Sequence, residues 1–171
     1  MEVLPDLVAA EPVVVLCGMA AAQSSRLREH YYETPGNSFW ELLHRSGLSP
    51  VPLRPYDDAR VVDLGLGLTD LVRHDETDPP TYDLEELVAK VGRWRPEWLA
   101  FTSKTVAHVV ARGLGHRRPG LGPAGWDVAG AEVFVLPGTS GANRRHDYDG
   151  RVDRLSWWQD LAHLVGRETP G

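Results

Sequence analysis

Three short apolar runs, separated by segments with helical periodicity, constrain the fold of this chain more than any other feature. The runs are Val13–Cys17, Trp98–Thr102 and Glu132–Leu136, and each leads into a loop that contains glycine or serine. Short runs rich in β-branched and aromatic residues are typical of buried strands. Strands that alternate with helices form a mostly parallel sheet covered by helices. The sequence therefore predicts an α/β sandwich whose site lies at the carboxyl ends of the strands.

The segments between these strands carry helix-start signals. Asn37 is a candidate N-cap for a helix that ends near Gly47, and Asp83 followed by Glu86 resembles a capping box. Ser103 is positioned to cap the next helix. We also expect a short helix from Asp57 or Asp58 to Leu64, a turn-rich segment over residues 65–70, a loop over residues 113–125 and a final helix around residues 155–165.

Length and composition restrict the class of protein. The 171 residues suit one domain over residues 1–171, with a core of about 13–165. The single cysteine excludes an intramolecular disulfide and a four-cysteine metal site held by this chain alone. No apolar stretch approaches a membrane span, and the acidic first residues do not resemble a secretory signal. We expect a cytoplasmic monomer that does not bind membranes and is nucleoid-associated if the source is bacterial.

The net charge of −6 is unevenly distributed. Residues 1–100 hold nine Lys or Arg against seventeen Asp or Glu, whereas residues 101–171 hold nine against seven. The basic residues of the second part cluster around 112–118 and 144–154. Two interpretations stay open: solvated loops and a solvated helix face, or a local surface for an anionic ligand on an otherwise acidic protein.

Several common motifs are missing. The sequence has no phosphate-binding Gly-x-x-x-x-Gly-Lys-Ser/Thr, and Gly65-Leu66-Gly67 lacks the third glycine of a dinucleotide loop. Ser140 lies between Thr139 and Gly141, outside the Gly-x-Ser-x-Gly pattern of hydrolases. No group of His, Cys, Asp and Glu has metal-ligand spacing on a predicted helix. The sequence therefore predicts neither a metal nor another cofactor.

Segments at the predicted strand ends resemble the uracil-DNA glycosylase superfamily. They are Val15-Leu16-Cys17-Gly18, Ser24-Ser25, Tyr32-Glu33-Thr34-Pro35-Gly36-Asn37-Ser38-Phe39-Trp40, Gly67-Leu68-Thr69-Asp70-Leu71-Val72, Ser103-Lys104 and Val135-Leu136-Pro137-Gly138-Thr139-Ser140-Gly141-Ala142-Asn143-Arg144. Their order and spacing are most similar to the mismatch-specific (thymine/uracil) branch. The resemblance implies a three-layer α/β/α sandwich with a central, mostly parallel four-stranded sheet.

The resemblance also implies roles for individual residues. A glycosylase must flip a base out of the stack into a pocket, and Tyr32 falls at the position that stacks on this base. Without the resemblance, Tyr32 would be interpreted as a loop tyrosine packed on the core. For Asn37, a helix cap is as good an interpretation as a pocket wall. The base-binding residues implied are Gly18, Met19, Ala20, Tyr32, Asn37 and Gly138. The DNA-binding residues implied are Ser24, Ser25, Lys104, Ser140, Gly141, Ala142, Asn143, Arg144, Arg145 and His146.

Two polar groups of the related motifs are missing here. Where the mismatch-specific branch has Gly-Ile-Asn-Pro-Gly, this chain has Gly18-Met19-Ala20-Ala21-Ala22, so the asparagine that positions water is replaced by Ala20. The second motif begins with Gly138 instead of Asn or His. Another branch has alanine at the first position, so its presence does not exclude activity. That branch carries a cysteine-ligated cluster, which this chain cannot hold.

Other acids must then serve the reaction. Cleavage of an N-glycosidic bond requires a nearby negative charge and a positioned water molecule. Asp70 is the first catalytic candidate, Glu33 (with Glu29) the second and His30 the third, while His146 is an option for assisting the leaving group or attacking C1′. A solvated loop carboxylate is the competing interpretation for each acid.

The sequence therefore predicts a monofunctional glycosylase that flips uracil out of DNA and excises it, leaving an abasic site. A broader form of this prediction includes other deaminated bases. The alternative is a non-catalytic or weakly catalytic binder of uracil-containing or abasic DNA on the same fold, favoured by Ala20 and Gly138. An unrelated α/β enzyme of nucleotide metabolism is a third hypothesis.

Overall fold

A twisted, mostly parallel sheet forms the centre of the molecule. The structure, a computed structural model, describes residues 3–23, 28–141 and 147–170. In these ranges seven strands form one sheet, in the order β1-β3-β2-β5-β7-β6, with β4 paired to the far end of β3. The strands are β1 (Leu7–Val8), β2 (Val14–Ala21), β3 (Leu66–His74), β4 (Thr81–Tyr82), β5 (Trp98–Phe101), β6 (Gly122–Val128) and β7 (Ala131–Val135).

The parallel part of the sheet confirms the predicted architecture. Strands β3, β2, β5 and β7 are parallel neighbours, whereas β1, β4 and β6 pair antiparallel with their neighbours. The antiparallel strands lie at the margins of the sheet, where they extend the four-stranded parallel centre.

Helices cover both faces of this sheet. They are α1 (Phe39–Arg45), α2 (Leu84–Trp94), α3 (Lys104–Leu114) and α4 (Leu155–Leu164), and a 3₁₀ helix spans Pro55–Leu64. On one face α1, α4 and the 3₁₀ helix pack on side chains such as Leu16, Leu68 and Phe134. On the other, α2 and α3 pack on their neighbours in the strands, such as Val15 and Phe101. This alternation along each strand gives the predicted three-layer α/β/α arrangement.

The sheet has a step at its carboxyl edge. Strand β5 pairs with β2 only as far as Cys17 with Phe101, and β7 ends beside it at Val135. The pairing of β2 with β3 continues four residues further, to Ala21 with Arg73. The strand predicted to end at Gly18 is therefore longer than expected, and this step forms the floor of the site described below.

Two segments expected to be loops are strands. Residues 65–70 were expected to form turns, but Leu66–His74 is β3, in which the first six residues are buried. The segment around 113–125 contains the start of β6, whose pairing with β7 is irregular between Pro123 and Asp127. Glycine and proline are tolerated there because β6 lies at the edge of the sheet. Across the described ranges no helix has the length and apolar character needed to cross a membrane.

Candidate active site

A cavity of about 300 Å³ opens at the step in the sheet. Its floor is Gly18 and Met19 of β2 together with Asp70 of β3, and its walls come from the loops that follow β2, β5 and β7. The remaining lining residues are Arg28, Tyr31, Tyr32, Glu33, Thr34, Asn37, Thr102, Ser103, Gly138, Thr139 and Ser140. The fold thus brings together residues that are up to about 120 positions apart in the chain.

Gly18 allows three polar side chains to converge on the floor of the cavity. A methyl group at its Cα would lie 2.8 Å from the Tyr32 hydroxyl, 2.9 Å from Asp70 Oδ1 and 3.4 Å from Thr102 Oγ1. The first two distances are shorter than any unstrained carbon–oxygen contact. The glycine is therefore required for the approach of these side chains, not for its own backbone conformation.

Asp70 is a buried carboxylate that forms an ion pair with Arg28. Its side chain is 7% exposed, and Oδ2 accepts a hydrogen bond from Arg28 Nη2 at 3.2 Å. Burial raises the pKa of Asp70, and the Arg28 guanidinium acts in the opposite direction. The carboxyl group is held at the floor of the cavity, where a developing positive charge would be stabilised strongly because little water screens it.

A second buried ion pair supports the strand that carries Asp70. Lys90 of α2 is buried and its Nζ lies 3.3 Å from Asp6 Oδ1. The same Asp6 oxygen accepts from the Thr69 hydroxyl at 2.6 Å, and Lys90 Nζ donates to the Asp70 carbonyl at 3.5 Å. These contacts fix the backbone on both sides of the Asp70 side chain.

Tyr32 forms one wall and is held on two sides. Its ring stacks on Phe39 with a centroid separation of 3.9 Å and an interplanar angle of 8°. Its hydroxyl lies 2.9 Å from Thr102 Oγ1. Burial, and next the neighbouring Asp70, raise the pKa of Tyr32, so it remains a neutral phenol. Its φ of 53° is uncommon for a residue with a side chain, and such conformations are found disproportionately at functional sites.

Asn37 both begins a helix and lines the cavity. Its Oδ1 accepts from the Phe39 backbone N–H at 2.9 Å, the first residue of α1. The N-cap position itself is Ser38, one residue later than expected, and Ser38 makes no side-chain cap. Asn37 therefore caps the first turn of α1 from the position before the N-cap residue. The same residue forms part of the cavity wall.

The loop after β7 is tied down through its backbone. Arg154 Nη1 donates to the carbonyl oxygens of Gly138 at 3.0 Å and Ser140 at 3.4 Å. A methyl group on Gly141 would lie 2.8 Å from the Gly36 carbonyl oxygen. This loop thus packs closely against the loop that carries Asn37, and together they enclose one side of the cavity.

The other expected residues lie in different surroundings. Glu33 lines the cavity and its Oε1 accepts from the Glu29 N–H at 3.0 Å. His30 is not among the described lining residues. Its ring contacts Asp58 instead, with Nδ1 lying 3.3 Å from Oδ1. Ala20 is buried in β2 beyond the lining residues. Lys104 forms an ion pair with Asp149 outside the cavity.

Some expected residues lie outside the described parts of the chain. These are Ser24, Ser25, Ala142, Asn143, Arg144, Arg145 and His146. Conversely, the sequence did not suggest Arg28, and it placed Thr102 at a strand end without giving it a role. The position of Thr102 at the end of a predicted strand could have indicated that it lies at the site. Nothing near Arg28 in the sequence indicates that its partner is Asp70, 42 residues away.

The arrangement suits acid–base chemistry on a flat ring. A stacking aromatic, backbone groups and one buried carboxylate surround a space open to solvent on one side. Among residues 3–23, 28–141 and 147–170, no cluster of three or more His, Cys, Asp or Glu could hold a metal ion.

Comparison with known proteins agrees with this architecture. The solution NMR structure of a proposed uracil DNA glycosylase from Methanosarcina acetivorans superimposes with a TM-score of 0.55 and 21% sequence identity, covering 95% of this chain and 96% of that one. At this identity the similarity concerns the fold. The family model of the uracil DNA glycosylase superfamily matches residues 5–162. The chain therefore belongs to the uracil DNA glycosylase superfamily.

Proposed function

We propose that this protein is a monofunctional DNA glycosylase that flips uracil out of DNA and cleaves its N-glycosidic bond, leaving an abasic site. In a broader form of the same proposal, the protein also excises other deaminated bases. The observation that supports it is the cavity itself: a buried Asp70 carboxylate and the Tyr32 ring flank one space at the carboxyl edge of the sheet. In this proposal DNA is the partner and the protein acts as a monomer.

The flipped base would lie against the Tyr32 ring. One face of this ring is covered by Phe39, and the residue lines the cavity, so a pyrimidine stacked there would continue an aromatic column. Gly18, Met19 and Asn37 line the cavity, and we assign them the contacts with the polar edge of the base. Gly138, with Ala20 behind the floor, completes the set of proposed base-binding residues.

Asp70 would provide the negative charge that the reaction requires. The C1′–N1 bond breaks, its electron pair leaves with the uracil anion, and positive charge develops on the sugar. A water oxygen then bonds to C1′, and the water proton passes through the Asp70 carboxylate to the departing base. Arg28 favours the ionised form of Asp70 that begins this cycle.

Glu33 and His30 remain secondary candidates. Glu33 lines the same cavity, so it could hold the water molecule if Asp70 does not. His30 faces Asp58, so a role in the reaction would require its ring to leave that partner. We therefore rank Asp70 before Glu33, and Glu33 before His30.

Contacts to the DNA backbone around the cavity are proposed for Lys104, Ser140 and Gly141. Lys104 would exchange or share its partner Asp149 with a phosphate group. The residues proposed for the same role from the sequence alone are Ser24, Ser25, Ala142, Asn143, Arg144, Arg145 and His146.

The test is uracil release under conditions of enzyme excess. Labelled oligonucleotides with one uracil, single-stranded, paired with adenine or mispaired with guanine, are incubated with the protein and then cleaved at abasic sites with alkali. The proposal predicts cleavage of at least one substrate, and oligonucleotides with thymine in place of uracil serve as the matched control.

The contradictory result is no release from any of these substrates. Tight binding to abasic DNA combined with no release would favour the non-catalytic binder. Binding alone does not discriminate, because an active glycosylase also holds its product.

A further inference from the structure

A second concave surface lies outside the cavity, along α3. It is a groove of about 720 Å³ between this helix and the segment of residues 115–121 that follows it. We call it the α3 groove, and its lining residues are Thr105, His108, Val109, Arg112, Gly115, His116 and Arg118. The set contains two arginines, two histidines and no acid.

The arginines of the α3 groove are available to a ligand. Arg112 and Arg118 are exposed, and neither takes part in any ion pair found among the described residues. By contrast, Arg28, Arg73 and Arg151 are all paired with carboxylates. A pair of unneutralised guanidinium groups in one groove, on a protein with a net charge of −6, favours an anionic partner.

Ring stacking and hydrogen bonds hold the walls of the α3 groove in place. The His116 ring stacks on Trp126 of β6 at 4.4 Å, with an interplanar angle of 10°. His108 Nε2 lies 3.1 Å from the Pro119 carbonyl oxygen, which ties the two walls together. At the end of the segment, the Leu121 N–H donates to Asp149 Oδ2 at 2.8 Å.

The groove begins beside the cavity. Ser103 lines the cavity and Thr105 lines the groove, two positions later in the chain. Asp149, which holds Leu121, is also the partner of Lys104 at the first residue of α3. The 11 residues of α3 span about 16 Å, over which one strand of duplex DNA presents about five phosphates.

We propose that the α3 groove binds the phosphodiester backbone of the DNA that flanks the flipped nucleotide, through Arg112 and Arg118. This inference rests on the proposed function for its partner, but it concerns affinity and not chemistry. It accounts for the basic cluster around 112–118, which lies outside the cavity.

The experiment measures binding of an undamaged duplex by fluorescence anisotropy at several salt concentrations. It compares the wild type, the Arg112→Gln/Arg118→Gln variant and a matched control, Arg60→Gln/Arg93→Gln. The control removes the same charge from two exposed arginines outside both the cavity and the groove. Circular dichroism of all three proteins identifies any variant that fails to fold, and single substitutions replace a double variant that does.

The groove variant should bind about tenfold or more weakly at low salt. The slope of log affinity against log salt should become shallower by about 2, since each phosphate contact contributes about 0.9. The control should keep the wild-type slope. Equal slopes for the two variants, or no binding of duplex DNA by the wild type at low salt, would overturn the inference. Because the duplex contains no uracil, these results are independent of whether uracil is released.

Discussion

The cavity and the α3 groove differ in the burial and pairing of their charged side chains. In the cavity a carboxylate is buried and paired with a guanidinium, Asp70 with Arg28 at 3.2 Å. In the groove Arg112 and Arg118 are exposed and take no part in the ion pairs of the described chain. Burial strengthens the effect of a single charge on a reacting group, whereas exposure leaves charges available to a long polyanion.

Under the proposed function, this difference separates two tasks of one acidic protein. Recognition of a base depends on shape and a few fixed contacts, and it needs no overall positive charge. Attraction of the DNA backbone depends on local basic charge, which the second part of the chain provides. Substitutions in the cavity should therefore change the rate of base release, and substitutions in the groove should change the salt dependence of binding.

The largest expected effect is that of Asp70→Asn. The substitution keeps the size of the side chain but removes the negative charge and the proton acceptor, so the single-turnover rate of uracil release should fall by roughly 10²- to 10⁴-fold. The salt dependence of duplex binding should stay as in the wild type. An unchanged rate would transfer the catalytic role to Glu33, and Glu33→Gln is the variant that would then be measured.

Gly18→Ala should have the next largest effect. The added methyl group would lie within 3 Å of the Tyr32 hydroxyl and Asp70 Oδ1, so one of them must move. Overpacking of this kind costs about 1–3 kcal/mol, and the rate of uracil release should fall about tenfold or more. Gly115→Ala, in the groove, is an instructive comparison because no atom lies within 4 Å of the added methyl group, although its φ of 79° strains the backbone. Equal losses of rate in the two variants would show that a general loss of stability, and not crowding in the cavity, is being measured.

Tyr32→Ala removes the stacking surface, which is worth roughly 1–3 kcal/mol per base. We expect about a tenfold loss in the rate of uracil release. Tyr32→Phe is its matched control, since it keeps the stack on Phe39 and loses only the hydrogen bond with Thr102. A Phe variant as slow as the Ala variant would assign the effect to the hydroxyl group instead of the ring.

The smallest effect concerns stability. The pKa of Asp70 is raised above its usual value of 3.8, so the native state binds a proton more readily than the unfolded chain. The stabilisation associated with that proton is full below pH 3.8 and is lost as the pH rises through the raised pKa. Asp70→Asn should therefore increase the melting temperature by a few degrees at neutral pH, and the difference should shrink towards pH 4.

Asp63→Asn, an exposed acid, is the control for this measurement and should show no such trend. A lower melting temperature of the Asp70→Asn variant at neutral pH would mean that the ion pair with Arg28 outweighs the cost of burial.

Much of the fold could be predicted from the sequence because the central strands are apolar runs with clear ends. The segment 65–70 was more difficult, since the first six residues of β3 are buried and the segment contains two glycines, Gly65 before the strand and Gly67 within it. A methyl group on Gly67 would lie 3.0 Å from Val15, so this glycine reflects close packing of a strand and not a turn. Sequence patterns cannot distinguish these two uses of glycine.

Within the site, residues carried by family-like motifs could be predicted, and contacts between distant segments could not. Asp70, Tyr32, Asn37 and Gly138 all line the cavity, and their roles in binding and catalysis stay predictions. The partner of Asp70 could not be anticipated, because Arg28 approaches it from a loop that has no periodicity. The basic residues around 112–118 were visible in the sequence, but only the fold shows that two of them share one groove.

The most direct test of the central claim is a crystal structure of the Asp70→Asn variant with a uracil-containing oligonucleotide. The account predicts an extrahelical uracil in the cavity, stacked on Tyr32, with its C1′ facing the side chain at position 70 and the flanking phosphates along the α3 groove. A uracil that remains stacked in the DNA, or one bound away from Tyr32 and position 70, would contradict it.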